Sequence, residues 1–263
     1  MLGWSINLFR IFGIQLAVHA SFLLLLAYYG YEGWLEGGLP GLLWHVSLIV
    51  LFFVCVILHE LGHSLTARRF GVKVPRILLL PIGGMAEFDH IPRKPTHELL
   101  ITVAGPAVNF VLAALLFAVS WPGLVLAKEV PVYSVASILD ELWLWNLVMG
   151  VFNLLPVFPM DGGRVLRALL AFKLPYLRAT WWAATVSKVL APLLACVAFF
   201  YLHQPMLGIL FLFILFVGDT EYKQTLRRDQ EEKYWAEMAR RALVVEPAPA
   251  GDEPPTLILH GPN

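Results

Sequence analysis

The stretch VSLIVLFFVCVIL-HELGHS, residues 46–64, joins thirteen residues without a charge to a cluster of two histidines and a glutamate. The apolar half is suited to lipid and the polar half to chemistry. On a helix, positions i and i+4 share a face, so His59 and His63 can both offer an imidazole nitrogen to one metal ion. Glu60 stands on the next position round. In the H-E-x-x-H pattern that glutamate takes a proton from the metal-bound water, and zinc makes that water acidic enough to act at neutral pH. Ionisable groups in a membrane-spanning helix are costly and are usually kept for function. Three within five residues argue for a zinc site rather than for packing.

The rest of the chain supports a membrane setting. Of 263 residues, 59% are hydrophobic and only 14% charged, with a mean hydropathy of +0.71. A soluble domain of this length carries more charge. The formal net charge is zero, which gives no reason to expect a nucleic-acid partner. Cys55 and Cys196 lie in apolar runs and form no C-x-x-C pair, so both read as small core residues.

A bilayer-crossing helix needs about 20 mainly apolar residues. Six runs meet this, at roughly 11–30, 41–67, 98–120, 135–157, 180–202 and 205–219. The first shows no small-residue cleavage site and reads as a membrane helix rather than a signal peptide. Arg10 precedes run one. Six Lys/Arg, from Arg68 to Lys94, separate runs two and three. Arg164, Arg167, Lys173 and Arg178 separate runs four and five, and six more follow run six. The remaining connections carry only Lys128, and Lys188 within run five is the exception. Lysine and arginine mark the cytoplasmic side, so six spans with both termini cytoplasmic are expected. The zinc would then lie in the membrane but towards the cytoplasm, since HELGHS ends just before Arg68 and Arg69. The expected organisation is a membrane core over 1–219, a charged cytoplasmic helix over 220–244 and a flexible Pro-rich tail over 245–263.

A catalytic zinc takes three protein ligands and leaves one position open. No histidine occurs between His63 and His90. The stretch NLLPVFPMDGGR, residues 153–164, ends run four with two prolines and two glycines around Asp161. Broken helix at membrane depth is tolerated only where it is buried in protein or lines a wet cavity. Asp161 is therefore either a ligand or the partner of Arg164. RILLLPIGGMAEF, residues 76–88, is β-prone and too short to span; Gly83 and Gly84 would permit a tight reversal, giving a re-entrant hairpin. His45 lies 14 positions before His59, about 20 Å along a helix, too far to share the metal. His19 falls within run one.

HELGH at 59–63 followed by N-x-x-P-x-x-P-x-D-G at 153–162, with GGMAEF at 83–88 and AGPAVN at 104–109, resembles the site-2 protease family of intramembrane zinc metalloproteases. The resemblance covers roughly residues 10 to 220. It implies an all-α integral membrane protein of about six spans with a re-entrant β-hairpin near the active site. The reaction implied is hydrolysis of peptide bonds within or near transmembrane segments. Carried over, His59, His63 and Asp161 are ligands of one zinc per chain, and Glu60 is the base and proton shuttle. Asn153 contacts substrate or the oxyanion, and the edge of the Gly83–Gly84 hairpin takes the unwound substrate as an added strand. Ala104, Gly105 and Pro106 are small residues suited to packing on the HELGH helix, with Asn109 bonding across helices.

The partners implied are the lipid bilayer and single-span membrane proteins, among them anti-sigma factors, sigma-factor precursors or remnant signal peptides. Some relatives carry a CBS or a PDZ domain; the short connections and the tail of this sequence suggest neither, leaving a regulatory membrane protein as one alternative. The competing reading is a catalytically silent zinc protein or receptor for transmembrane segments. The presence of Glu60 and of all three ligands argues for the enzyme.

Overall fold

The computed structural model describes residues 4–90, 92–126 and 131–243; the tail expected over 245–263 lies outside them. The order is β1 (Ser5–Ile11), β2 (Ile14–His19), α1 (Ser21–Arg69), β3 (Arg76–Leu80), β4 (Gly83–Glu87), α2 (Pro95–Leu126), α3 (Val135–Asn153), α4 (Asp161–Ala171), α5 (Tyr176–Cys196) and α6 (Pro205–Leu243).

α1 is 49 residues long but is not one rod. Gly37 and Gly38 leave helical geometry, with Gly38 at φ 59°. The chain turns back there, so that a Cβ on Gly33 would lie only 2.5 Å from the Gly41 carbonyl oxygen. The two arms, 21–36 and 39–69, form an antiparallel pair held by Phe22 against Phe53, with ring centroids 4.6 Å apart. His45 sits near the bend, its Nε2 3.5 Å from Glu36, far from the HELGH end of its arm. With this fold-back, the five continuous helical segments of crossing length among the described residues present six apolar helical arms, as the hydropathy of the sequence leads one to expect.

Those helices expose large apolar side chains on their outer faces, among them Leu24, Val119, Val189 and Met206. Exposure on this scale is untenable in water and ordinary against lipid. The protein is a multi-pass membrane protein. Cys55 is buried as expected, whereas Cys196 is exposed on α5. A small apolar side chain there meets the surroundings of the bundle rather than its core.

The first helix does not start at residue 11. The segment before Ser21 is a hairpin turned at Phe12 and Gly13, both with positive φ, the geometry of a two-residue β-turn. His19 is thus the last residue of β2, its Nδ1 2.6 Å from Ser21 Oγ, and not mid-helix. β1 and β2 join β3 and β4 in a four-stranded sheet of order β1-β2-β3-β4. β2 and β3 run parallel, with the whole of α1 as their connection. The hairpin expected at 76–88 is present, but it is half of a larger sheet. Its reversal falls on Pro81–Ile82 rather than on the glycines. Gly83 pairs with Leu80 and takes φ 136°, which favours glycine.

α3 ends at Asn153, four residues before the end of the apolar run. The 154–160 segment folds back tightly over the start of α4: a Cβ on Gly162 would overlap the carbonyls of Leu154 and Leu155. The Phe158 N–H donates to Ser187 Oγ on α5 at 2.8 Å, fixing this segment against the bundle. The apolar and polar parts of α6 form one continuous helix.

Candidate metal centre and active site

The second arm of α1 presents His59 and His63 one turn apart, and the first turn of α4 presents Asp161. His59 Nε2 and His63 Nε2 lie 3.0 Å apart. Asp161 Oδ2 is 3.4 Å from the first and 3.2 Å from the second. Two residues 98 positions apart or more from the third are thereby brought to one point. Arg164, the other partner open to Asp161, turns instead to α6, with its Nε 3.7 Å from Glu221.

The protonation of this cluster follows from its outer contacts. His63 Nδ1 is 2.7 Å from the Ile101 carbonyl, which can only accept. His59 Nδ1 meets Asn109 Oδ1, and Asn109 Nδ2 donates to Asn146 Oδ1 at 3.1 Å. Both imidazoles therefore carry the proton on Nδ1 in the neutral form and turn bare Nε2 lone pairs towards each other and towards a carboxylate. Three acceptors facing one another in a buried pocket need a cation. Tetrahedral zinc, with N and O ligands at about 2.0–2.2 Å, sets its donors roughly 3.3–3.5 Å apart; the observed triangle is close to that. The donor set, the spacing and the outer acceptors that orient each imidazole fit zinc.

Asn109 and Asn146 are fully buried, and Asn146 Nδ2 donates to the Leu142 carbonyl at 2.8 Å. The chain His59–Asn109–Asn146 crosses from α1 through α2 to α3. Asn109 does bond across helices as expected, and its partner is a candidate metal ligand. Asn146 was not legible as part of the site; its one signal is an amide amid the apolar run LWLWNLVMG. Gly105 explains the AGPAVN stretch more sharply: a Cβ there would collide with the His63 ring. Gly62 likewise packs against the Ala104 carbonyl, at 2.7 Å from an added Cβ, so α1 and α2 meet backbone to backbone beside the ligands.

Glu60 is next to the donors and against the sheet. Its Oε2 accepts from the Ala86 N–H at 3.2 Å, and a Cβ on Gly84 would lie 2.6 Å from its Cγ. Because backbone groups alternate along a strand, Gly84 and Ala86 both turn their N–H and C=O away from β3. β4 is thus the free edge of the sheet, facing Glu60. A cavity of about 390 Å³ holds His59, Glu60, His63 and Asp161 together with Gly83, Gly84 and Asn153. It shares His59, Glu60, Gly83, Gly84 and Asn153 with an apolar groove of about 620 Å³ lined by Phe52, Trp145, Val148 and Met149. All seven residues singled out from sequence are therefore gathered around one connected space.

Comparison with known proteins gives the family. The model of peptidase family M50 matches residues 47–128 and 122–194. Zinc metalloprotease MJ0392 of Methanocaldococcus jannaschii is 43% identical over 190 residues, covering 72% of this chain and 52% of that protein. Putative zinc metalloprotease sll0528 of Synechocystis is 34% identical over 173 residues, 63% of this chain and 44% of its own length. Stage IV sporulation protein FB of Bacillus subtilis is 30% identical over 193 residues, 73% and 64% of the two chains. The chain spans about half the length of the first two of these relatives. Among solved structures, the site-2 protease from M. jannaschii matches with a TM-score of 0.60 and 39% identity, over 83% of this chain and 95% of that one. The matched family model, the identity and the fold lead to one conclusion: this chain belongs to peptidase family M50, the site-2 proteases.

Proposed function

We propose that the chain is an intramembrane zinc metalloendopeptidase that hydrolyses peptide bonds within or near the transmembrane segments of single-span membrane proteins. The observation that carries this reading is the meeting of His59, His63 and Asp161 beside Glu60, at the inner end of an apolar groove. His59, His63 and Asp161 would hold one zinc, leaving the side towards the groove open. When bound there, zinc supplies Lewis-acid polarisation and a water acidic enough to attack at neutral pH.

The protein's own groups do the rest. Glu60 takes the proton of the attacking water and passes it to the leaving amide nitrogen. Asn153 lines both the groove and the metal cavity, where its amide can donate to the scissile carbonyl as charge develops on oxygen. A helical substrate hides its peptide bonds in its own hydrogen bonds. Unwound and laid along β4, it exchanges them for bonds to Gly84 and to the Ala86 carbonyl, the Ala86 N–H being held by Glu60. The aromatic and aliphatic lining of the groove suits the side chains of a transmembrane segment.

The Lys/Arg distribution supports cytoplasmic termini and an active site near that face. A tag at either end should then be digested in inside-out vesicles and protected in right-side-out ones. Anti-sigma factors, sigma-factor precursors and remnant signal peptides are the substrate classes that the family resemblance puts first. To test the reading, purified wild type and Glu60→Gln are offered a panel of single-span model substrates. Cleavage by wild type alone supports it. Equal cleavage by both would remove Glu60 from the chemistry, and an absence of zinc from fresh, chelator-free protein would favour a receptor.

A further inference from the structure

A second polar cavity, of about 100 Å³, lies between α4, the start of α5 and α6. It is lined by Arg93, Arg164, Arg167, Arg228, Tyr176, Gln224, Thr225 and a single carboxylate, Glu221. Most of the nearby acids pair with the cavity's own arginines. Glu98 is held by Arg167, whose Nη2 lies 2.5 Å and Nε 2.7 Å from it, and by the Tyr176 hydroxyl at 3.3 Å. Glu232 is 2.8 Å from Arg93, and Asp229 is 2.8 Å from Lys233. Glu221 lies 3.2 Å from Arg167 and 3.7 Å from Arg164, and Arg228 lines the same cavity. Among the described residues Arg228 makes no hydrogen bond or ion pair. The Arg164 Nε is buried without a hydrogen-bond partner.

Once Glu98 is set against Arg167, Glu232 against Arg93 and Glu221 against Arg164, the Arg228 guanidinium is left over in a cavity whose other lining groups, Tyr176, Gln224 and Thr225, can donate hydrogen bonds. That surplus of donors and charge is what a tetrahedral oxyanion satisfies, since guanidinium forks match its oxygen pairs. The cavity lies where the apolar part of α6 gives way to its polar part, the level at which lipid headgroups lie. We propose that this cavity binds a phosphate group, either the phosphomonoester of a lipid headgroup or free orthophosphate. Arg164 lines this cavity and the metal cavity alike, so the occupant would sit one side chain away from Asp161.

Orthophosphate binding to the purified full chain in detergent, in chloride buffer, provides one arm of the test. Thermal stability in phosphatidate against phosphatidylglycerol bilayers provides the other, because only phosphatidate offers a monoester. Arg228→Gln, at an exposed position that should tolerate the change, is expected to weaken binding about tenfold or more. Arg240→Gln, an equal charge change on the same helix outside the cavity, should leave it unaltered. Saturable orthophosphate binding assigns a soluble ligand. Stabilisation by phosphatidate without it assigns a lipid. Neither effect, or equal losses in Arg228→Gln and Arg240→Gln, overturns the proposal.

Discussion

Gly105 lies flat against the imidazole of His63, so close that any side chain at 105 would overlap the ring at Nε2. The absence of a Cβ on α2 thus leaves room for a metal donor on α1. Gly105→Ala should push His63 out of the donor triangle. We expect at least a tenfold loss of zinc affinity, read by competition with a chromophoric chelator, because donor placement within tenths of an ångström decides metal binding. Unchanged affinity would mean that His63 is not a ligand or that the helices can part at no cost.

Asn109 fixes the tautomer of His59 by accepting its Nδ1 proton. Asn109→Leu removes the acceptor and leaves that proton buried without a partner. Outer acceptors of this kind are worth about 10- to 100-fold in metal affinity, and a loss of that size is expected in the same chelator competition. Asn109→Asp keeps the acceptor and should recover most of it. Failure of the aspartate to recover more than the leucine would make the role one of packing alone.

Gly84 does for Glu60 what Gly105 does for His63. A methyl group at 84 would press on Glu60 Cγ and move the carboxylate that we assign as the base. Gly84→Ala should keep full zinc content and lose about 10²-fold in kcat, the scale of a displaced general base. If zinc were lost in step with activity, the glycine would be supporting the metal instead.

Glu98 and Arg167 form an ion pair whose side chains are each about 1% exposed, tying α2 to α4 and so to Asp161. Removing one member of a buried pair leaves an unbalanced charge, at a cost of about 3–5 kcal/mol. Glu98→Leu should therefore lower the melting temperature in detergent markedly. Glu98→Gln keeps an acceptor for Arg167 and should cost less. Equal melting of all three proteins would make the pair dispensable.

The chemistry of the site was more legible in the sequence than its setting. The i, i+4 pair needs only helical geometry, and Asp161 announces itself through the prolines and glycines that break the chain around it. The hairpin was visible as a β-prone stretch too short to span. What misled was FGIQLAVH: a continuous apolar run fits a buried strand and a helix equally well, and β2 is buried at Ile14, Leu16 and Ala17 because it lies inside the sheet. The fold-back at Gly37–Gly38 agreed with two separate runs. The amide chain Asn109–Asn146 was hidden because nothing along a sequence says which of two distant helices will face each other.

One zinc should join the second arm of α1 to the first turn of α4. Zinc K-edge X-ray absorption on chelator-free purified protein tests it most directly. The expected result is about one zinc per chain, bound by nitrogen and oxygen only, two imidazoles among them, and loss of the metal in Asp161→Ala. A shell containing sulfur, or an Asp161→Ala protein that keeps its zinc in the same surroundings, would contradict it.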